Sequence, residues 1–130
     1  MKHFRVFLPF LGLLFLSVAP WGCATKPQPA DPQLARETLK TVLDTWKSGE
    51  GLDTLQQLDT PIQVSDAEWA RGVRLLVYQV EPRDYLFGTD LRCRVKLTLQ
   101  GKNGKKRQKM GTYSVGTTQA LMVFREDDDY

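Results

Sequence analysis

From Leu91 to Gln100, apolar and polar residues alternate without a break. Leu91, Cys93, Val95, Leu97 and Leu99 interleave with Arg92, Arg94, Lys96, Thr98 and Gln100. A period of two puts every second side chain on one face, so this segment is a β-strand with one buried and one wet face. Such a strand needs neighbours on both edges and cover over its apolar side. The neighbours are legible. Val73 to Val80 is rich in branched and aromatic residues. Thr112 to Val115 and Ala120 to Phe124 form two more strands, joined through Gly116-Thr117-Thr118. Asn103-Gly104 is a hairpin signal between the second and third of these strands.

The register of that hairpin is constrained by its own side chains. A two-residue turn pairs Lys102 with Lys105 and, counting outward, sets Leu97 opposite Met110 and Arg94 opposite Tyr113. Tyr113 and Val115 then fall on the wet face. One extra bulged residue or a longer loop returns both to the apolar face, and the local Lys and Gly residues make the irregular hairpin the expectation. Leu121, Met122, Val123 and Phe124 are apolar on both faces. Either that strand is central and covered twice, or its second face meets a partner.

The cover comes from upstream. Asp31 suits a helix cap and Pro32 the first helical position. Ala35, Leu39, Val42, Leu43 and Trp46 recur at spacings of three and four. Gly49 supplies the stop, giving an amphipathic helix of about 16 residues that needs a sheet beneath it. Leu52, Leu55 and Leu58 predict a short helical piece ended by Thr60-Pro61. Ile62 and Val64 read as a brief strand. Ser65-Asp66-Ala67-Glu68 has capping-box spacing before a helical turn carrying Trp69, which Gly72 ends.

The expected fold is α+β: an N-terminal amphipathic helix packed across a curved four-stranded antiparallel meander. In element order this resembles the cystatin-like and NTF2-like folds over about residues 31–126. The inhibitors of the first group carry a Gln-x-Val-x-Gly hairpin, for which Tyr113-Ser114-Val115-Gly116 is the nearest segment here. Enzymes of the second group carry His/Asp pairs that this chain lacks. Trp46-Lys47-x-Gly49, Ile62-x-Val64-x-Asp66-x-x-Trp69-x-x-Gly72-x-x-Leu75-x-x-Tyr78 and Val123-Phe124-Arg125-Glu126 are similar to small secreted planctomycete-type proteins, a resemblance that brings no activity with it.

Residues 1–22 read as a signal peptide. Lys2, His3 and Arg5 form a basic start, and Val6 to Val18 is 13 residues without a charge. That is short of the roughly 20 needed to span a bilayer. Ala19-Pro20-Trp21-Gly22-Cys23 resembles a bacterial lipoprotein cleavage site, which implies acylation of Cys23. Cleavage after Ala24, giving a freely secreted or periplasmic protein, is the alternative. Residues 23–30 are Pro-rich and read as an extended tether. Residues 31–126 form one domain and 127–130 an acidic tail. The only other thiol, Cys93, is expected to be a buried small hydrophobe, with Arg92 and Arg94 on the opposite face.

Composition removes most chemistry. The leader holds two of the 18 basic residues and no acidic one, leaving 16 against 15. That balance argues against a nucleic-acid partner. The one histidine, His3, lies in the leader, so the mature chain has no imidazole for nucleophile activation or base catalysis. No phosphate-cradling glycine motif is present, no cofactor is implied, and Cys93 alone cannot build a zinc site. Asp127-Asp128-Asp129 lacks the glycine and carbonyl pattern of a calcium loop. Paired carboxylates remain. Asp66 with Glu68, and Asp84 with Asp90, are the only acid–base pairs on offer, and capping and turn formation explain each.

Three features are left for binding. Lys102, Lys105, Lys106, Arg107 and Lys109 concentrate five charges at a hairpin tip, either as a solvated turn or as a contact for anionic headgroups. Tyr85, Leu86 and Phe87 place three apolar residues in the loop Pro82 to Asp90, either folded over the sheet edge or anchoring a partner. Trp46, Trp69 and Tyr78 either fill the core or line a pocket between helix and sheet. Together these predict a non-enzymatic envelope lipoprotein, held to the membrane by its N-terminal lipid and contacting a protein or cell-surface partner. The rival is a small-ligand-binding domain with a pocket under the helix, which as an enzyme would be a weak carboxylate-only hydrolase.

Overall fold

The computed structural model describes residues 26–126. The leader, Cys23 and the acidic tail lie outside them. In chain order the elements are α1 (Pro32–Lys47), α2 (Leu52–Gln56), β1 (Ile62–Ser65), α3 (Ala67–Ala70), β2 (Arg74–Phe87), β3 (Asp90–Gln100), β4 (Lys106–Gly116) and β5 (Leu121–Glu126). The protein is α+β, with α1 laid on one face of a sheet ordered β1-β5-β4-β3-β2. Strands β2 to β5 form the expected antiparallel meander. The count of four is corrected to five, because β1 pairs parallel to β5 from Ile62–Leu121 to Ser65–Phe124.

Local chemistry accounts for α1. Asp31 accepts the Leu34 N–H at 3.1 Å, Pro32 opens the first turn, and Gly49 takes φ +84° beyond the last, a conformation open to glycine at little cost. The buried face is Ala35, Thr38, Leu39, Val42, Leu43 and Trp46. Thr38 joins it because its hydroxyl donates to the Leu34 carbonyl at 2.7 Å, which satisfies the polar atom within the helix.

The β3–β4 register resolves in favour of the longer loop. Leu97 faces Lys109, Cys93 faces Tyr113 and Leu91 faces Val115. The Gly101 N–H donates to the Lys105 carbonyl and the Gly104 N–H to the Gly101 carbonyl. Tyr113 and Val115 are thereby buried beside Leu91, Val95 and Leu97.

Strand β2 runs further than its sequence suggests. It passes through Pro82 and turns at Gly88-Thr89, so Tyr85, Leu86 and Phe87 are strand residues and not a loop tip. Between the Val80–Val95 and Asp84–Cys93 pairs the register shifts, because β2 spends four residues where β3 spends two. Pro82 sits in that bulge on an edge strand, where a missing N–H costs no ladder bond. Gly88 has φ +62°, as required at the first central position of a tight hairpin turn.

Residues 26–30 have no secondary structure but are not wholly solvated, contrary to the tether expected over 23–30. Ala30 is buried and its N–H donates to the Thr89 carbonyl at 2.8 Å. The Thr118 hydroxyl donates to the Gln28 carbonyl at 2.7 Å. The chain therefore enters the fold pinned beside the β2–β3 turn and the β4–β5 loop.

Candidate functional site

Strand parity sorts the side chains by face. On the face away from α1, one row runs Tyr85, Arg92, Ser114, Phe124 and Ser65 from β2 across to β1. The Arg92 guanidinium lies 3.7 Å from the Phe87 ring centre, a cation–π contact. Arg92 also donates to both oxygens of Glu126 at 2.9 Å, and Glu126 accepts from the Ser114 hydroxyl at 3.0 Å. The Tyr85 and Glu126 oxygens together hold the Arg92 guanidinium firmly charged. Tyr85 and Phe87 are 51% and 58% exposed, and Leu86, on the helix side of the same hairpin, 47%. Met122 and Phe124 are half-buried on the same open face. Large exposed apolar groups thus stand on a hairpin end braced by an arginine with fixed partners.

The basic hairpin is not one patch. Lys102, Lys105 and Lys106 are exposed; Arg107 and Lys109, on the face of Tyr113, stay half-exposed but direct their charged ends to Glu68. Arg107 contacts one Glu68 oxygen at 2.5 Å and Lys109 the other at 3.2 Å. Arg125 donates to Asp66 at 3.2 Å and to Glu68 at 2.8 Å. Asp66 also accepts the Tyr113 hydroxyl at 2.9 Å. The side chains of Arg125, Asp66 and Glu68 are at most 3% exposed. Five charges and a phenol thus fasten α3 to β4 and β5.

This cluster settles how the carboxylates are placed. Asp66 is the cap of α3, accepting the Glu68 and Trp69 N–H groups at 3.0 and 3.2 Å. Ser65 of the expected capping box is instead an exposed strand residue. Glu68 does not reach back to the cap; its oxygens are taken by the three cations. Asp84 accepts two bonds from Arg36, at 2.6 and 2.9 Å, which hold its carboxyl below the usual range. Asp84 pairs with Cys93 on the helix side, whereas Asp90 pairs with Phe87 on the open side. The two point to opposite faces and do not form an acid–base pair.

Glu68 makes acid stability a readable quantity. Burial disfavours its charged form, but Lys109, Arg125 and Arg107 outweigh that and lower its pKa. A carboxyl lowered in the folded state stabilises the fold above its unfolded pKa, and that contribution is lost as pH falls through the folded value. Asp44, lowered by Lys40 and the Tyr78 hydroxyl, acts in the same direction. Thermal stability should therefore be level near neutrality and decline below the ordinary glutamate pKa of 4.5. Glu68→Gln should lower the plateau and flatten the acid slope, which melts from about pH 3 to pH 7 will show.

The three candidate pocket residues separate. Trp46 and Trp69 are buried and stack with ring centres 5.5 Å apart and planes at 10°. The Trp46 indole donates to the Val73 carbonyl at 2.9 Å. They flank only a shallow recess of about 240 Å³ between the α1–α2 and α3–β2 turns. Tyr78 lies apart from them. Its hydroxyl donates to Asp44 at 2.6 Å, which with burial pushes its pKa up to about 12. With Leu39, Val80 and Pro82 it walls an open groove of about 440 Å³ between α1 and the β2 bulge. Cys93 is fully buried, and that burial pushes its thiol up to about 11, so it stays protonated at neutral pH.

Among the described residues no group of three His, Cys, Asp or Glu side chains is placed to hold a metal ion. No described helix is long and apolar enough to cross a membrane. No family model matches the chain, and neither curated proteins nor solved structures return a match. Sequence reasoning singled out Tyr85, Leu86 and Phe87 but not Arg92 and Glu126, which pair beside them, nor Phe124 further along the same face. The available signal was the shared even parity of Arg92, Phe124 and Glu126 within strands of known register.

Proposed function

We propose that the protein is a non-enzymatic interaction module of the bacterial cell envelope, anchored through a lipid on Cys23, and that its working surface is the open end of the sheet around Tyr85, Phe87 and Arg92. The observation that carries this is the exposure of three large apolar side chains on one braced hairpin. The commitment of Asp66, Glu68 and Asp84 to internal ion pairs supports a binding role over a hydrolytic one. The fold belongs on this reading with the cystatin-like and NTF2-like group, extended by a parallel edge strand, and the chain with the secreted planctomycete-type proteins it resembles. A photo-crosslinking residue at position 87 in the native host should label an envelope component, protein or lipid. The same residue at Lys47, on the last turn of α1, should not. Equal labelling from both positions would overturn the proposal.

A second reading rests on the groove between α1 and β2. Its walls are Leu39, Tyr78, Val80 and Pro82, with Arg36 and Lys40 at the rim. Glu81 and Asp84 share that rim and balance its charge, so a small, largely apolar and uncharged ligand fits those groups. In that case the protein is a freely secreted or periplasmic carrier.

A further inference from the structure

The two ends of the sheet differ in chemistry, and the chain enters at only one of them. Thr89, whose carbonyl accepts the Ala30 N–H, is the second residue of the turn that follows Phe87. Thr118, which holds Gln28, lies in the β4–β5 loop at the same end of the sheet. The exposed lysines 102, 105 and 106 sit at the opposite end of β3 and β4. Eleven residues of β3 separate the two ends, roughly 35 Å at about 3.3 Å per residue.

We infer that the Tyr85–Leu86–Phe87 hairpin end rests on the lipid bilayer itself, at the level of the headgroups. This deepens the lipid-anchored reading and rests on it. Cys23 stands five residues before Gln28, and five extended residues reach at most about 18 Å. A lipid on Cys23 therefore holds Gln28 within that distance of the membrane, with Ala30 beside Thr89 of the hairpin turn two residues further on, and leaves the basic hairpin at the far end of the sheet. The occupant follows from that short leash and from the side chains it brings to the surface. Tyrosine and phenylalanine suit the headgroup boundary, where an aromatic body is buried and a polar edge stays wet. The exposed Lys26 and Arg83 offer cations to headgroup phosphates, while Arg92, paired with Glu126, braces the Phe87 ring. The basic hairpin, for which a headgroup contact was the alternative to a solvated turn, is at the other end of the sheet.

The test uses the full chain, expressed with its leader and reconstituted into phosphatidylcholine vesicles containing anionic lipid. Phe87→Trp and Tyr85→Trp report the near end, and Lys105→Trp the far end. The two tryptophans of the described domain, Trp46 and Trp69, are buried and give a low background. Lipids brominated near the headgroup should quench the position-87 and position-85 reporters at least twofold more than the wild-type chain. The position-105 reporter should match wild type. Intact mass decides the underlying reading separately. An acylated chain whose hairpin reporters quench no more than wild type overturns the membrane seat while leaving the anchor standing. Blue-shifted hairpin emission that ignores brominated lipid assigns the surface to a second copy and also overturns it. A chain without acyl mass overturns both.

Discussion

Arg125→Met should be among the most destabilising single substitutions in this protein. It strips the shared partner from Asp66 and Glu68, whose side chains are nearly inaccessible to water. Removing one member of a buried ion cluster leaves charge without compensation and costs about 3–5 kcal/mol. In a domain of this size that is a fall in melting temperature on the order of 15 °C or more. The four-residue α3 has no independent helical stability, so its attachment should fail first, exposing Trp69. Arg125→Lys keeps the charge but loses the two-pronged geometry, and should fall between Met and wild type. Arg107→Ala and Lys109→Ala remove half-exposed partners of Glu68, and each should cost no more than about 1 kcal/mol. Chemical denaturation of the four variants gives the order. An Arg125→Met variant within about 1 kcal/mol of wild type would mean that α3 is held by Trp69 packing alone.

That cluster marks the boundary of what could be read from the sequence. The face of α1 was legible because its apolar spacing matches the helix, and β3 because its alternation matches a strand. Even the hairpin register was legible, since Tyr113 and Val115 had to reach the core. With that register, Arg107 and Lys109 also fall on the core side, by the same parity as Tyr113. They were read as solvated because a run of lysines is normally a wet turn. The partner of Glu68 was not legible at all: Arg125 lies 57 residues away, and no local pattern couples them. Strand β1 was seen, but not its parallel pairing with β5, which depends on where the meander closes. The extension of β2 was hidden by Pro82. A proline reads as a strand end, and only the edge position and the bulge explain why it is tolerated. For the candidate site, Tyr85, Leu86 and Phe87 were named because three apolar residues in a row are unusual in a loop. That they face outward with Arg92 depends on the Phe87–Asp90 pairing, which the loop reading had removed.

Trp46→Ala is the second large effect, and it tests whether the tryptophan pair is core or the wall of a ligand site. The ring stacks on Trp69 and its indole N–H donates to the Val73 carbonyl. Truncation opens a cavity where α1, α3 and the start of β2 meet and costs about 3–5 kcal/mol. It also strands one acceptor. Trp46→Phe keeps most of the ring contact and loses only the donor, so it should cost about 1–2 kcal/mol. Trp69→Ala should be non-additive with Trp46→Ala, because each removes the other's partner. Neither substitution touches the hairpin at Tyr85 and Phe87 or the groove at Tyr78, so the remaining folded fraction should keep its surface contacts unchanged. The opposite pattern, with a melting temperature near wild type and loss of a bound small molecule, would make the tryptophan pair a ligand wall. Function would then belong to the space beneath α1 and not to the open end of the sheet.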